Sequence, residues 1–274
     1  MSLASLYVKA ALGAVGPRSR ELPAAELTRA IAVDRAHLAA YARVCGFAVG
    51  DTLPLTYPHV LAFPLQVELM ASRAFPLSLP GLVHVRNTIT VRRRIDAAER
   101  LDVRVHAERL RAHPKGAQVD LVAEIGAAGE PVWHGRSTYL ARGAGAPPGD
   151  VPEPSPQPGI DDGPAVATWR VDAGTGRRYA AVSGDVNPIH LHPLTAKAFG
   201  FPRAIAHGMW TAAHALAALQ GRAADATTYD VGFAKPLLLP STVELRTRRA
   251  GDGWDLDVRS RRAEHVRATL RALT

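Results

Sequence analysis

Tyr41-Ala42-Arg43-Val44-Cys45-Gly46-Phe47 and Tyr179-Ala180-Ala181-Val182-Ser183-Gly184-Asp185 agree at four of seven positions, and at a fifth Cys45 stands against the nearly isosteric Ser183. Such a repeat points to two copies of one structural unit. Each copy is followed by a helical stretch that opens near a histidine: His59 onward (HVLAFPLQVELMASRAF) and His207 onward (HGMWTAAHALAALQG). Alternating apolar segments then read as strands. In the first half they are Leu82–Ile95, Leu101–Arg109, Gln118–Ile125 and Val132–Leu140. In the second they are Thr228–Lys235, Thr242–Arg249, Trp254–Arg261 and Val266–Leu270. A helix followed by a meander of long strands predicts an α+β unit, a curved antiparallel sheet wrapped around one helix. A single sheet of that kind leaves an apolar face or an open edge uncovered, and two tandem units cover each other.

The break between the copies is Gly143–Gly163, GAGAPPGDVPEPSPQPGIDDG, whose Pro, Gly and Asp content predicts an extended linker without regular structure. The expected organisation is therefore an N-terminal unit over 1–142, a linker over 143–163 and a C-terminal unit over 164–274. With 47% hydrophobic and 21% charged residues the chain has the composition of a packed globular protein. No apolar run approaches the roughly 18 residues of a membrane span. Met1–Val15 carries Lys9 in its middle and lacks the layout of a signal peptide, so it reads as an N-terminal helix or arm of a cytoplasmic protein. The single cysteine, Cys45, excludes an internal disulfide and a multi-cysteine zinc site, and reads as a small core residue. The net charge of +8 comes mainly from dispersed arginines. On strands they read as a solvated face, and they suit an anionic cofactor or an acidic carrier protein. No nucleic-acid-binding motif accompanies them, so no nucleic-acid partner is expected.

The halves differ at one place. Gly46 precedes His59 by 13 residues, whereas Gly184 precedes His207 by 23. The insert of about ten residues carries Asp185-Val186-Asn187-Pro188-Ile189-His190, and the first half has Phe47 where the second has Asp185. Gly184 and Pro188 break regular structure, and Asn187-Pro188 favours a turn that aims Asp185 and His190 at one point. An Asp/His pair can take a proton from water and deliver one to carbon, because imidazole titrates near neutral pH and a carboxylate orients it or shares its water. His207-Gly208-Met209 lies where the second long helix should begin. The unpaired N–H groups at a helix start, with glycine allowing close approach, have the geometry of an oxyanion hole. Together these supply what addition of water to an α,β-unsaturated thioester requires. A metal site from Asp185, His190, His192 and His207 is the weaker alternative, since His192 on an extended chain faces away from His190.

The motif Tyr179-x-x-Val182-Ser183-Gly184-Asp185-x-Asn187-Pro188-Ile189-His190, with His207-Gly208-Met209 following His190 by 17 residues, resembles the MaoC-like family of (R)-specific enoyl-thioester hydratases and 3-hydroxyacyl-thioester dehydratases. The resemblance covers Asp172 to Val243 and includes Phe233-x-Lys235-Pro236. It implies a hot-dog fold, (R)-stereochemistry and no metal or redox cofactor, with CoA or phosphopantetheine present only as part of the substrate. It also implies Asp185 and His190 as the catalytic dyad and the Gly208 N–H as oxyanion donor. Ser183, Gly184, Asn187, Pro188, His207 and Met209 then support the loop or bind substrate. Tyr57–Pro64 and Gly81–Val85 resemble the first half of two-domain members, which implies a double hot dog with a degenerate N-terminal unit and an active C-terminal one. The family's polar residue on the central helix has no clear match in Ala212–Leu216, where His214 reads as a packing or surface residue. His59 and His84 read as a helix-start and a strand residue, not as a second site.

The expected function is reversible hydration of trans-2-enoyl thioesters, or dehydration of (R)-3-hydroxyacyl thioesters, in fatty-acid metabolism. An acyl-thioesterase on the same scaffold and a non-catalytic acyl-thioester binding subunit are the alternatives. The expected substrates are acyl-CoA or acyl-carrier-protein thioesters, and the expected assembly is a monomeric pseudo-dimer or a homodimer.

Overall fold

The Asp34 carboxylate starts the first helix, α1 (Arg35–Cys45), by accepting the N–H groups of Ala36 and His37 at 2.8 and 3.2 Å. Gly46 ends it in the left-handed conformation, φ 85°, which a side chain resists. In the computed structural model, which describes residues 19–79, 81–146, 157–160 and 163–273, the second copy of the repeat does the same. Its helix Thr175–Ser183 ends at Gly184, φ 73°. The repeated heptad is thus the last turn of a helix and its glycine cap. The two repeat tyrosines, Tyr41 and Tyr179, are buried against each other with ring centroids 6.3 Å apart.

In chain order the elements are β1 (Leu27–Ala32), α1, α2 (Tyr57–Ala71), β2 (Leu82–Val91), β3 (Arg100–His113), β4 (Gly116–Ala127) and β5 (Glu130–Arg142). The second half has β6 (Ala167–Val171), α3 (Thr175–Ser183), α4 (Pro188–Leu191), α5 (Pro193–Ala198), α6 (Gly208–Ala217), β7 (Thr227–Phe233), β8 (Ser241–Ala250), β9 (Gly253–Ser260) and β10 (Ala263–Ala272). The apolar helices α2 and α6 are buried along most of their length, as helices without a polar stripe must be.

The ten strands among the described residues form one antiparallel sheet in the order β1-β3-β4-β5-β2-β7-β10-β9-β8-β6. The second half repeats the order of the first, reversed about the β2–β7 pair, where Arg86 faces Gly232 and Ile89 faces Tyr229. The two units expected from the sequence are therefore joined through their sheets. Arg86 crosses this junction and donates from Nε to Asp230 at 2.9 Å, and Thr88 donates to the same carboxylate. The short edge strands β1 and β6 were not among the strands expected. They hold few buried residues, so they lack the alternation that betrays longer strands.

One expectation needs correction. The strand arginines do not simply form a solvated face. Asp120, fully buried on β4, collects Arg109 at 2.6 Å, Arg111 at 3.2 Å and the Thr138 hydroxyl at 2.8 Å. Arg111 is itself only 4% exposed, since a buried carboxylate needs its partners buried with it. The linker touches the fold at two described positions: Gln157 and Ile160 are buried, and Arg259 donates to the Ile160 carbonyl at 2.8 Å. The expected N-terminal helix or arm, Met1–Val15, and linker positions 147–156 and 161–162 lie outside the described residues.

Candidate active site

The segment after Gly184 is a chain of local hydrogen bonds, each made by a residue type that prefers turns. The Asp185 N–H donates to Ser183 Oγ at 3.1 Å, the Asn187 N–H to Asp185 Oδ1 at 3.2 Å, and the Ile189 N–H to Asn187 Oδ1 at 3.4 Å. Asn187 is the N-cap of α4 and Pro188 its first residue, so α4 starts as short helices usually do. His190 is thereby placed on α4 and buried. Gly176 of α3 makes this possible, because a Cβ there would lie 2.1 Å from the His190 carbonyl oxygen.

His190 and His207 stack, with ring centroids 3.7 Å apart and planes 27° apart. His190 Nδ1 donates to the Ile205 carbonyl at 2.9 Å, which leaves the lone pair on Nε2. His207 Nε2 donates to the Asp185 backbone carbonyl at 2.9 Å, and lies 3.8 Å from its carboxylate. One carboxylate oxygen of Asp185 and one nitrogen each of His190 and His207 lie within 4.8 Å of one another. Burial lowers the pKa of His190 below the ordinary 6.5, with the Asp185 carboxylate pulling the other way. Burial, then the neighbouring His190, lowers His207 to about 3. Both rings are therefore neutral near pH 7, and His190 is able to accept a proton.

Gly208 is the first residue of α6, so its N–H belongs to the group a helix leaves unpaired. A Cβ on Gly208 would meet the Phe233 ring at 2.8 Å, so glycine is what lets β7 and the helix start close together. Asp185, His190 and Gly208 all line one cavity of about 490 Å³. Its walls continue into the N-terminal half along Val60, Phe63, Met70, Leu79 and Leu82, and Lys115 and Arg142 stand on its rim.

Of the residues expected from sequence, Ser183, Asp185, Asn187, His190, His207, Gly208 and Met209 line this cavity, while Gly184 and Pro188 shape the loop from outside it. His192 turns away and caps α5, accepting the Leu194 N–H at 3.1 Å. Asp185, His190 and His207 are grouped closely enough to suggest a metal, but imidazole lone pairs lie in the ring plane. Two stacked rings send them side by side instead of to one point. His214 hydrogen-bonds the Cys45 carbonyl at 2.8 Å, a packing role, and Cys45 is fully buried with its thiol pushed up to about 12 by burial. Sequence reading missed Gly176 and the convergence of His59 and His84 on the same cavity. The one available signal was the alignment of His59 with His207, each at a helix start after a repeat.

The sequence profile of the MaoC-like domain family matches residues 160–271. A curated relative, 3-hydroxyacyl-thioester dehydratase X of Mycobacterium tuberculosis, is 42% identical over 271 residues, which cover 97% of this chain and 96% of the relative. The crystal structure of HtdX from the same organism is 40% identical and superposes with a TM-score of 0.81, over 91% of this chain and 100% of that one. Another Mycobacterium tuberculosis protein, described as having a double hotdog fold, superposes with a TM-score of 0.55 over 94% of this chain and 96% of its own. At 13% identity that likeness concerns the fold alone.

Proposed function

The chain belongs to the MaoC-like dehydratase family and has a double hot-dog fold, and on that premise we propose how its cavity adds water to trans-2-enoyl thioesters and removes it from (R)-3-hydroxyacyl thioesters. The observation that carries the mechanism is the grouping of the Asp185 carboxylate and the His190 ring within 4.8 Å, in the same cavity as the Gly208 helix start.

In the hydration direction, one water donates to His190 Nε2 and to the Asp185 carboxylate. Its oxygen attacks C3, and the proton it loses passes to the dyad. The electron pair displaced from the double bond moves onto the thioester oxygen, where the Gly208 N–H receives the charge at the positive end of α6. The dyad then returns the proton to C2, so H and OH are added and the enzyme is regenerated. Dehydration is the same path reversed. No metal or redox cofactor has a part in these steps. Ser183, Asn187 and His207 hold the Asp185 loop by the bonds described above.

The thioester is carried by CoA or an acyl carrier protein in fatty-acid metabolism in the cytoplasm. Lys115 and Arg142 on the rim suit the phosphates of either carrier. Two units in one chain already form the pseudo-dimer that a hot dog needs, whether the chain works alone or as a homodimer. Among the described residues no helix is long and apolar enough to cross a membrane.

The test is absorbance at the enoyl-thioester band after adding protein to trans-2-enoyl-CoA substrates of several lengths, with His190→Gln alongside. Loss of the band with wild type only, giving (R)-3-hydroxyacyl product, is expected. Release of free thiol would instead make the protein a thioesterase, and an unchanged band with both CoA and carrier-protein substrates would make it a binding subunit.

A further inference from the structure

His59 and His84 belong to the half of the chain that has Phe47 in place of Asp185, yet both line the cavity of Asp185 and His190. His59 lies in the first turn of α2. His84 lies on β2 where the register with β5 shifts between His84 and Arg86, and such an irregularity re-aims a strand side chain. The two rings stack at 6.0 Å with planes 18° apart. His84 also stacks on Tyr139 at 4.7 Å and lies 5.0 Å from the Phe233 ring. Phe233 is the ring packed against Gly208, so the histidine pair sits one aromatic ring away from the proposed oxyanion donor.

Burial holds both imidazoles neutral, His59 at about 4 and His84 at about 3, although the Asp185 carboxylate reaches each and opposes the shift. A neutral imidazole offers one N–H and one lone pair. Nδ1 of His59 and Nε2 of His84 are buried without a hydrogen-bond partner in the protein. A buried polar atom left in that state carries an unrecovered desolvation cost. Phenylalanine would pack against Tyr139 and Phe233 without that cost. The neighbouring wall is apolar: Val60, Phe63, Met70, Leu79 and Leu82 suit an alkyl chain. Both nitrogens are closed off as the rings stand, so a plain alkyl group leaves them unpaired, whereas an oxygen admitted by a small turn of either ring would pair with its nitrogen.

We propose that His59 and His84 form a polar subsite for an oxygen-bearing acyl group, a hydroxyl or carbonyl beyond the reacting carbons, and so make the cavity selective for oxygenated acyl thioesters over plain alkyl ones. The proposal rests on the hydratase/dehydratase reading above and adds its substrate class. A hydroxyl serves either ring, because it can donate to a lone pair or accept from an N–H.

Hydration of trans-2-decenoyl-CoA is compared with that of analogues bearing one hydroxyl at successive carbons from C5 to C10, using wild type, His84→Phe, His59→Phe and His84→Gln. For wild type, at least one hydroxylated analogue should exceed the parent in kcat/KM by ten-fold or more, mainly through KM. In both phenylalanine variants that ratio should fall to two-fold or less, and His84→Gln, which keeps a polar end, should retain part of it. A purely structural role would lower kcat/KM on every substrate alike and lower the Tm, leaving the ratio unmoved. Turnover of the parent with no preferred analogue, or a preference that survives both phenylalanine substitutions, overturns this proposal and leaves the reaction intact. No turnover of any substrate, the parent included, overturns both.

Discussion

The His207 ring lies flat against His190, 3.7 Å between centroids, while its Nε2 donates to the backbone carbonyl of Asp185. One residue at the start of α6 therefore braces both members of the proposed dyad, and ties them to the helix whose first N–H is the proposed oxyanion donor. The site is held by backbone carbonyls, which move less than side chains do.

Asp185→Asn and His190→Gln should each lower turnover by two orders of magnitude or more, with a Tm within a few degrees of wild type. In the proposed mechanism both groups act on the reacting atoms, and their substitutes keep the shape of the loop. Steady-state hydration rates and a thermal melt decide it, and wild-type turnover in either variant would remove the dyad.

Gly176→Ala tests the seating of α4. The added methyl would stand 2.1 Å from the His190 carbonyl oxygen, a backbone atom that cannot swing aside. Overpacking of this kind costs about 1–3 kcal/mol. We expect a lower Tm and a fall in kcat of at least ten-fold, since His190 moves with its backbone. Unchanged kcat would mean that α4 shifts without disturbing the dyad.

Gly208→Ala keeps the oxyanion N–H but brings a methyl within 2.8 Å of the Phe233 ring. Turnover should fall, and the pair Gly208→Ala with Phe233→Leu should recover part of it, because the smaller side chain makes room. If the double variant is no better than the single one, the loss comes from the helix start itself.

Acid should unfold the protein early. His59, His84 and His207 hold pKa values of about 4, 3 and 3, lowered chiefly by burial from an ordinary 6.5. Above pH 6.5 the rings are neutral in both the folded and the unfolded chain. Between 6.5 and about 4 the unfolded chain takes up these protons and the folded one does not, so stability falls as pH falls. The slope approaches about 1.4 kcal/mol per pH unit for each histidine. Urea midpoints at pH 7, 6 and 5 should drop progressively, and His59→Phe should flatten the trend. Equal midpoints at the three values would contradict it.

Much of this was legible in the sequence because it is local. The glycine caps at Gly46 and Gly184, the Asx turn at Asp185 and the cap at Asn187 are written in neighbouring residues, and the apolar alternation of β2–β5 and β7–β10 marks the sheet. What escaped is non-local. β1 and β6 are edges with little to bury, so their alternation is faint. His59 looks like any helix-start histidine and His84 like any strand residue until β2 pairs with β7, which brings Phe233 beside His84, and His84 stacks on His59. Gly176 is one small residue in a polar helix, and the carbonyl it admits belongs to α4, fourteen positions on.

The reversal of strand order about β2 and β7 has a consequence for how the protein tolerates change. In a pair of identical subunits every substitution is made twice, so a phenylalanine at the position of Asp185 would remove the carboxylate from both sites. Fusion removes that constraint: Phe47 and Asp185 occupy matching positions and follow separate fates. It also makes the cavity indifferent to dilution, since the half that supplies Val60 and Phe63 cannot drift away from the half that supplies Asp185.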